Sequence, residues 1–398
     1  MRPLAFAWIS LVRQPARAAL GILGIAAVGA LLFDMLLLSR GLVVSFGELL
    51  DEVGFDVRVS AVESMPRTGP RVTDATATAA GLTALPEVAA AVPVQIGSAE
   101  LDDPAMPEVS LVGSADASES PWQVLEGPGL QAGRSDGRVQ VLVNRNMARR
   151  LALTPGSRIG LRGTCEADSA PPRVEVEVAG IADFYFDDAS QLTAAMRLEA
   201  FRRTCGIEGD DTADLILVAA DPDLGPTAAV EAIERARPDL HAFSNEQLIA
   251  RFQQVEFSYF RQISAVLATI TLFFGFLLIT VLLTVSVNQR LGEIAALRAL
   301  GLTRRRVVTD VVLESAFLVG LGGALALPLG LGLAFWLDTI LRAMPGIPAN
   351  LHFFVFEPRA LVLHAGLLAA TALAAALYPA RLVARLPISA TLRNEGAT

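Results

Sequence analysis

The residues able to do covalent or metal chemistry are few and scattered in this 398-residue chain. Its three histidines, His241, His352 and His364, lie far apart, and neither an H-E-x-x-H pair nor Cys/His metal spacing occurs. No G-x-S-x-G nucleophile elbow is present. All 32 basic residues are Arg, so the chain lacks the lysine that a P-loop extends to nucleotide phosphates, and Schiff-base chemistry on lysine is excluded. The acid pairs Asp102–Asp103, Asp187–Asp188 and Asp210–Asp211 read as solvated loop residues rather than catalytic dyads. The only two cysteines, Cys165 and Cys205, are disulfide candidates if their segment faces an oxidising compartment. Two independent buried thiols are the alternative, and no metal is expected. A net charge of −9 argues against nucleic acid as a partner.

The elements that would position these residues divide sharply. The chain is 53% hydrophobic and 18% charged, against about 45–50% and about 25% in ordinary soluble domains. Residues 42–260 hold 34 acids and 17 Arg, a net of −17, while the remainder holds 7 acids and 15 Arg, a net of +8. Four apolar runs lie outside the acidic block, at 18–38, 263–287, 311–337 and 360–378. Each approaches or exceeds the roughly 18–20 apolar residues that span a bilayer as a helix. Arg2, Arg13 and Arg17 precede the first run, Arg290, Arg298 and Arg304 to Arg306 fill the loop after the second, and Arg381, Arg385 and Arg393 follow the fourth. Cytoplasmic flanks carry the excess of basic residues, so both termini are expected inside. The first run exceeds the 7–15 residues of a signal-peptide core and is expected to be retained.

This pattern predicts a polytopic membrane protein. Its expected parts are a cytoplasmic amphipathic start (1–17), a first transmembrane helix (18–41), an outer domain with stalk helices (42–261) and a second transmembrane helix (262–287). A cytoplasmic helix and loop (288–306), a third transmembrane helix (307–337), an outer loop (338–359), a fourth transmembrane helix (360–379) and a cytoplasmic tail (380–398) complete it. Within the outer domain, period-2 alternation marks strands at 56–62, 108–113, 139–143 and 174–181, and helices are read at 144–153 and 226–237. The whole is an α+β arrangement. Ser244-x-x-Gln247 forms a capping box, and neither Pro nor Gly follows until Gly275. A continuous helix over 245–288 would be about 65 Å long at 1.5 Å per residue, well beyond the bilayer core, so its excess is read as a stalk. Residues 39–53 have helical spacing suited to its partner.

Asp34 lies within the first span, and Glu314 near the inner end of the third, with Asp310 one turn earlier. Intramembrane acids are candidates for gating or transport. In the alternative, Asp34 faces water or pairs with Arg40, and Glu314 pairs with Arg304, Arg305 or Arg306. Gly21, Gly24, Ala26, Ala30, Gly320, Ala324 and Gly330 offer small faces for close helix approach. Pro328 should kink the third span unless a neighbour satisfies the freed carbonyl. Four spans are few for a transport unit, so a dimer with a second copy or a paralogue is expected.

The inner loop NQRLGEIAALRALGLTRRRV (residues 288–307) places Leu291, Ile294, Leu297 and Leu300 on one helical stripe, with Glu293 and Arg298 beside it. Spacing alone fits either an interfacial helix on anionic headgroups or a helix docked in a partner's groove. The phrase RLGEIAALRALG (290–301) closely resembles the coupling-helix signature of the FtsX-like, MacB-like permeases, the four-span type VII ABC membrane subunits. LVRQPARAALGILGI (11–25), Glu314 followed by Gly320, Gly322 and Gly323, and YPARLVARLPISATLR (378–393) resemble further segments of that family. Residues 125–161 and 174–181 resemble its MacB-type periplasmic core. MacB itself carries a fused ATPase, whereas this chain has none.

The resemblance implies four transmembrane helices with an α+β periplasmic MacB-like core domain on a helical stalk. It implies a non-catalytic permease subunit in the bacterial inner membrane, with ATP and Mg bound by a separate cytosolic ATPase. Gln289, Arg290, Leu291, Glu293, Ile294, Leu297, Arg298, Leu300 and Gly301 would form the docking surface for that ATPase. Export or extraction of a lipid, lipoprotein or drug would follow, with a periplasmic adaptor or enzyme as a further partner. The alternative is a mechanotransmitting regulator of a periplasmic enzyme that moves no substrate.

Overall fold

The computed structural model describes residues 15–63, 69–101, 108–115, 121–130, 138–165, 171–254, 258–289 and 303–385. The chain forms two compact units: one comprises Met1–Leu42, Glu256–Thr339 and Phe353–Thr398, the other Val43–Val255 and Ile340–His352.

Four helices belong wholly or largely to the first unit: α1 (Pro15–Glu52), α7 (Ser258–Gln289), α8 (Arg304–Arg342) and α9 (Pro358–Arg385). Each is long and apolar enough to cross a membrane. With 38 residues, α1 measures about 57 Å, nearly twice a hydrocarbon core, and it runs unbroken from the first unit into the second. Ile25 and Leu32 of α1 pack with Ile279 and Leu283 of α7, Val319 of α8, and Leu368 and Ala375 of α9. Apolar side chains gain nothing from leaving lipid, so association depends on close packing, and small residues allow it. A Cβ on Gly322 would lie 2.6 Å from Ile25 Cγ2, and one on Gly330 3.1 Å from Phe33 Cδ1. Gly320 has open space around it and Ala324 is exposed, so the close face of α8 is carried by Gly322, Ala326 and Gly330; of the three positions the sequence suggested there, only Gly330 belongs to it. The helix passes through Pro328 without interruption. Phe273, Phe274 and Val281 of α7 remain exposed on the outside of this bundle, as lipid-facing side chains would.

The second unit is built on a split β-α-β-β-α-β motif. Its strands β1 (Val57–Ser60), β3 (Val88–Leu101), β11 (Leu215–Ala220) and β12 (His241–Ser244) lie antiparallel in the order β12-β1-β11-β3. Helices α2 (Ala75–Thr83) and α5 (Gly225–Ala236) cover one face, where Val57, Val59, Ile216, Val218, Leu82 and Ile233 form a core. A separate two-stranded antiparallel sheet pairs β2 (Val72–Thr73) with the distant β10 (Thr212–Ala213).

Between the second and third strands of that motif, the chain inserts a closed ring. It contains β4 (Val109–Ser114), β6 (Val139–Asn144), β7 (Arg158–Gly163), β8 (Val174–Phe184) and β9 (Leu192–Arg197), joined by the second half of β3. The order is β3-β4-β9-β6-β8-β7 and back to β3, with β5 (Trp122–Glu126) attached to β8. Two pairs, β4 with β9 and β6 with β8, are parallel. Closure is feasible because β3 exchanges neighbours along its length, pairing β11 over 88–94 and β7 over 99–101. Alternate residues Val109, Leu111, Val141, Val143, Leu161, Val176, Val178 and Met196 form the ring's core. Helix α4 (Leu198–Cys205) adds Phe201, whose ring occupies the space a side chain on Gly113 would need, 2.7 Å from the Cβ position. Helix α3 (Arg145–Arg150) starts where Asn144 Oδ1 accepts the Met147 amide at 2.8 Å, an N-cap at the end of β6. The strands and helices expected at 56–62, 108–113, 139–143, 174–181, 144–153 and 226–237 all correspond to elements of this unit.

Candidate functional site

The expected docking segment 289–302 lies outside the described residues except for Gln289, which ends α7 with its side chain exposed. Its two flanking helices are tied beside it, where Ser286 Oγ of α7 donates to Glu314 Oε1 of α8 at 2.8 Å.

Asp34 is fully buried, and neither carboxylate oxygen has a hydrogen-bond partner among the described residues. This corrects the reading in which it faces water or pairs with Arg40. Six residues of helix place Arg40 about 120° away around α1, and it pairs instead with Glu357 at 3.2 Å. His364 of α9, isolated in the sequence, is buried against α1 with its ring edge-to-face on Phe33, 5.3 Å between centroids. Sequence spacing carried no signal for that contact.

In the second unit, Cys165 and Cys205 form a disulfide with Cα atoms 5.5 Å apart. Cys165 follows β7 and Cys205 ends α4, so the bond fastens the helix over the ring core. Among the described residues, no three His, Cys, Asp or Glu side chains gather as metal donors.

Two polar junctions were not legible from the sequence. The first gathers α1, β1 and helix α6 (Asn245–Gln254). Asn245 Nδ2 donates to Asp51 Oδ1 at 3.1 Å and to the Phe55 carbonyl at 3.2 Å, while its Oδ1 accepts from the Arg58 guanidinium. Burial pushes Arg58 down to about 10, against the opposing pull of Asp51 and Asp56. The Ser244–Gln247 capping box is reciprocal, with Gln247 N–H donating to Ser244 Oγ at 3.2 Å and Ser244 N–H to Gln247 Oε1 at 3.1 Å. Further along, Phe46 meets Phe252 edge-to-face at 4.9 Å, so the C-terminal end of α1 packs on α6. Residues 255–257, which decide whether α6 and α7 are one helix, lie outside the described residues.

The second junction is the Asp187–Asp188 turn. It is not the solvated loop expected for an acid pair. Asp187 Oδ1 accepts from Thr193 Oγ1 at 2.7 Å and Oδ2 from Asn144 Nδ2 at 2.6 Å. Burial raises Asp187 to about 6; the hydrogen bonds from Thr193 and Asn144 oppose the rise, and the neighbouring Asp188 and Asp183 carboxylates add to it. Burial also acts on Asp188, yet hydrogen bonds from Ser190, Gly346 and Gln191 outweigh it and hold that carboxyl below its usual range. Asp188 Oδ1 accepts from Ser190 N–H and Oγ, both at 2.7 Å, and from Gln191 N–H at 2.8 Å. Asp211 is likewise bonded rather than free, accepting from Thr76 Oγ1 and Arg202 at 2.7 Å each. The Asp-x-Ser spacing of Asp188 and Ser190 is a turn signature, and it was the one clue available.

Residues 265–388 match the family model described as FtsX-like permease C-terminal. The structure is similar to the periplasmic region of MacB from Actinobacillus actinomycetemcomitans, at 11% identity and a TM-score of 0.39, over 52% of this chain and 98% of that one. It is also similar to the extracellular domain of the noncanonic ABC-type transporter YknZ from Gram-positive bacteria, at 12% identity and a TM-score of 0.33, over 48% of this chain and 99% of that one. No curated protein matches the sequence. The matched region begins in α7, continues through α8 and α9, and contains the segment 289–302. That C-terminal portion is similar to the C-terminal domain of FtsX-like permeases.

Proposed function

We propose that this chain is the membrane subunit of an ABC transporter, and that a separate cytosolic ATPase docks on residues 289–302. The observation that carries the reading is the FtsX-like permease match over 265–388, which contains the docking motif. Such permeases work with an ATPase that binds ATP and Mg, and this chain has no lysine with which to build a P-loop of its own. ATP-driven closure of a paired ATPase would draw two permease copies together in the inner membrane. The motion would pass outward along α1, whose outer end packs on α6 and bonds to Asn245 at the root of the sheet domain. The work done is export or extraction of a hydrophobic or amphiphilic substrate. Asp34 and Glu314 are proposed as gating positions in the membrane helices.

Co-purification tests the docking surface. An ATPase should accompany the wild-type chain in stoichiometric amount and be lost from Leu297→Asp, because a carboxylate on the apolar stripe cannot enter a hydrophobic groove without desolvation. Retention of the ATPase by that variant would remove the docking assignment. Loss of a lipid, lipoprotein or drug from the outer membrane or medium on deletion separates transport from regulation. A cell-wall hydrolase defect without such a loss would favour the regulator.

A further inference from the structure

The loop that joins the third and fourth membrane helices belongs to the outer unit, as residues Ile340–His352. Its backbone is held there by two acceptors of the Asp187–Asp188 turn. Gly346 N–H donates to Asp188 Oδ2 at 2.9 Å, across 158 residues of sequence. Ala349 N–H donates to the Asp187 carbonyl at 2.8 Å, and Asp188 and Pro348 form an antiparallel bridge. Gly346 adopts φ +81°, a left-handed conformation that suits glycine. At the end of the loop, His352 N–H donates to Ser45 Oγ of α1 at 2.8 Å.

The turn itself is anchored in the ring. Asn144 caps α3 with its Oδ1 and reaches Asp187 Oδ2 and the Gln191 carbonyl with its Nδ2, at 2.6 and 2.9 Å. Thr193, buried at the start of β9, holds the other Asp187 oxygen. A connected set of hydrogen bonds therefore runs from the ring strands to the peptide groups of the loop. A free surface loop would show none of these long-range bonds.

We propose that the Asp187–Asp188 turn is a latch that fastens the loop between α8 and α9 to the sheet domain, so that these two helices follow its motion together with α1. The inference rests on the reading of the chain as a permease whose outer domain moves. It adds a second line of transmission, distinct from the stalk root at Asn245.

The two oxygens of Asp188 have separate tasks, which makes a selective variant available. Oδ1 faces three donors of the turn, and Oδ2 faces the Gly346 amide. In Asp188→Asn the amide oxygen must stay with the three donors, leaving its NH2 opposed to the Gly346 N–H. Hydrogen–deuterium exchange on the full chain in lipid nanodiscs reads the consequence. The Gly346 and Ala349 amides should exchange about tenfold faster or more, the loss of a bond to a charged group being of that size, while Ser190 and Gln191 amides stay protected. Asp188→Ala should release all four. Unchanged exchange at Gly346 and Ala349 in Asp188→Asn would overturn the latch. With its ATPase bound, Asp188→Asn should lower coupled turnover several-fold without loss of docking, and normal turnover with a released loop would overturn the transmission role. If no ATPase binds the wild type, the permease reading fails on its own, and amide exchange still decides the latch.

Discussion

Ser286 and Glu314 meet at 2.8 Å, hydroxyl to carboxylate, on the two helices α7 and α8 that flank the segment proposed to dock an ATPase. A load taken up by that segment would act on both helices, and this bond holds them at a fixed separation. Interhelical hydrogen bonds within membranes are worth about 0.6 kcal/mol on average and seldom above about 1.7. A double-mutant cycle of Ser286→Ala and Glu314→Ala, read from unfolding in detergent micelles, should give a coupling energy in that range. Strict additivity of the two substitutions would show that the bond does not contribute.

Close packing of α1 on α8 predicts a contrast between two nearby glycines. Gly322→Val places a Cβ 2.6 Å from Ile25 Cγ2 and must push the helices apart, at a cost of about 1–3 kcal/mol. Gly320→Val meets open space and should be near neutral. Thermal unfolding of the two variants in the same detergent provides the comparison, and equal midpoints would contradict the packing described.

The Cys165–Cys205 disulfide closes a separation of 40 residues over the ring core. Replacing both cysteines with Ser should destabilise the second unit by about 2–4 kcal/mol, through the greater freedom of the unfolded chain. The check is urea denaturation of the double variant beside the wild type. The proposed ATPase docking at 289–302 should be unaffected, since the bond lies in the second unit, which does not include that segment.

Asp187 sets the direction of a pH effect. Its folded-state value is raised to about 6, above the ordinary carboxyl range near 3.8. Between those values the folded chain binds more proton than the unfolded one, so stability falls as pH rises. The contribution is greatest below about pH 4, is lost progressively up to about pH 6, and is flat above. The ring strands β6 and β9 should therefore resist denaturant better at pH 5 than at pH 7. Asp187→Asn should flatten that difference, and a wild-type domain more stable at pH 7 through this window would reverse the assigned sign.

Much of this protein was readable from local pattern. The four spans follow from runs of apolar residues, and strands at 109–114, 139–144 and 174–184 follow from period-2 alternation. The Ser244–Gln247 cap is a four-residue signature and forms as written. Each is decided by forces that act within a few residues of the chain: helical hydrogen bonding, side-chain alternation, and the transfer of apolar groups from water.

The partners of the buried polar groups are a different matter. Nearness in sequence offers Arg40 as one possible partner for Asp34, but helix geometry separates them and Arg40 meets Glu357. Asp187 and Asp188 looked like any exposed acid pair, since nothing nearby announces that Asn144, Thr193 and Gly346 converge on them. Ring closure through β3 and β7 likewise depends on strands about 60 residues apart adopting one register. By itself the sequence determined the membrane helices and the α+β domain between the first two, because hydrophobicity and charge are properties of each residue. Only the tertiary structure decided which polar groups are bonded, that the C-terminal end of α1 packs on α6, and that the loop after α8 is held by the sheet domain. Those bonds exist only once distant segments have packed and shed their water, and no window of sequence contains both partners.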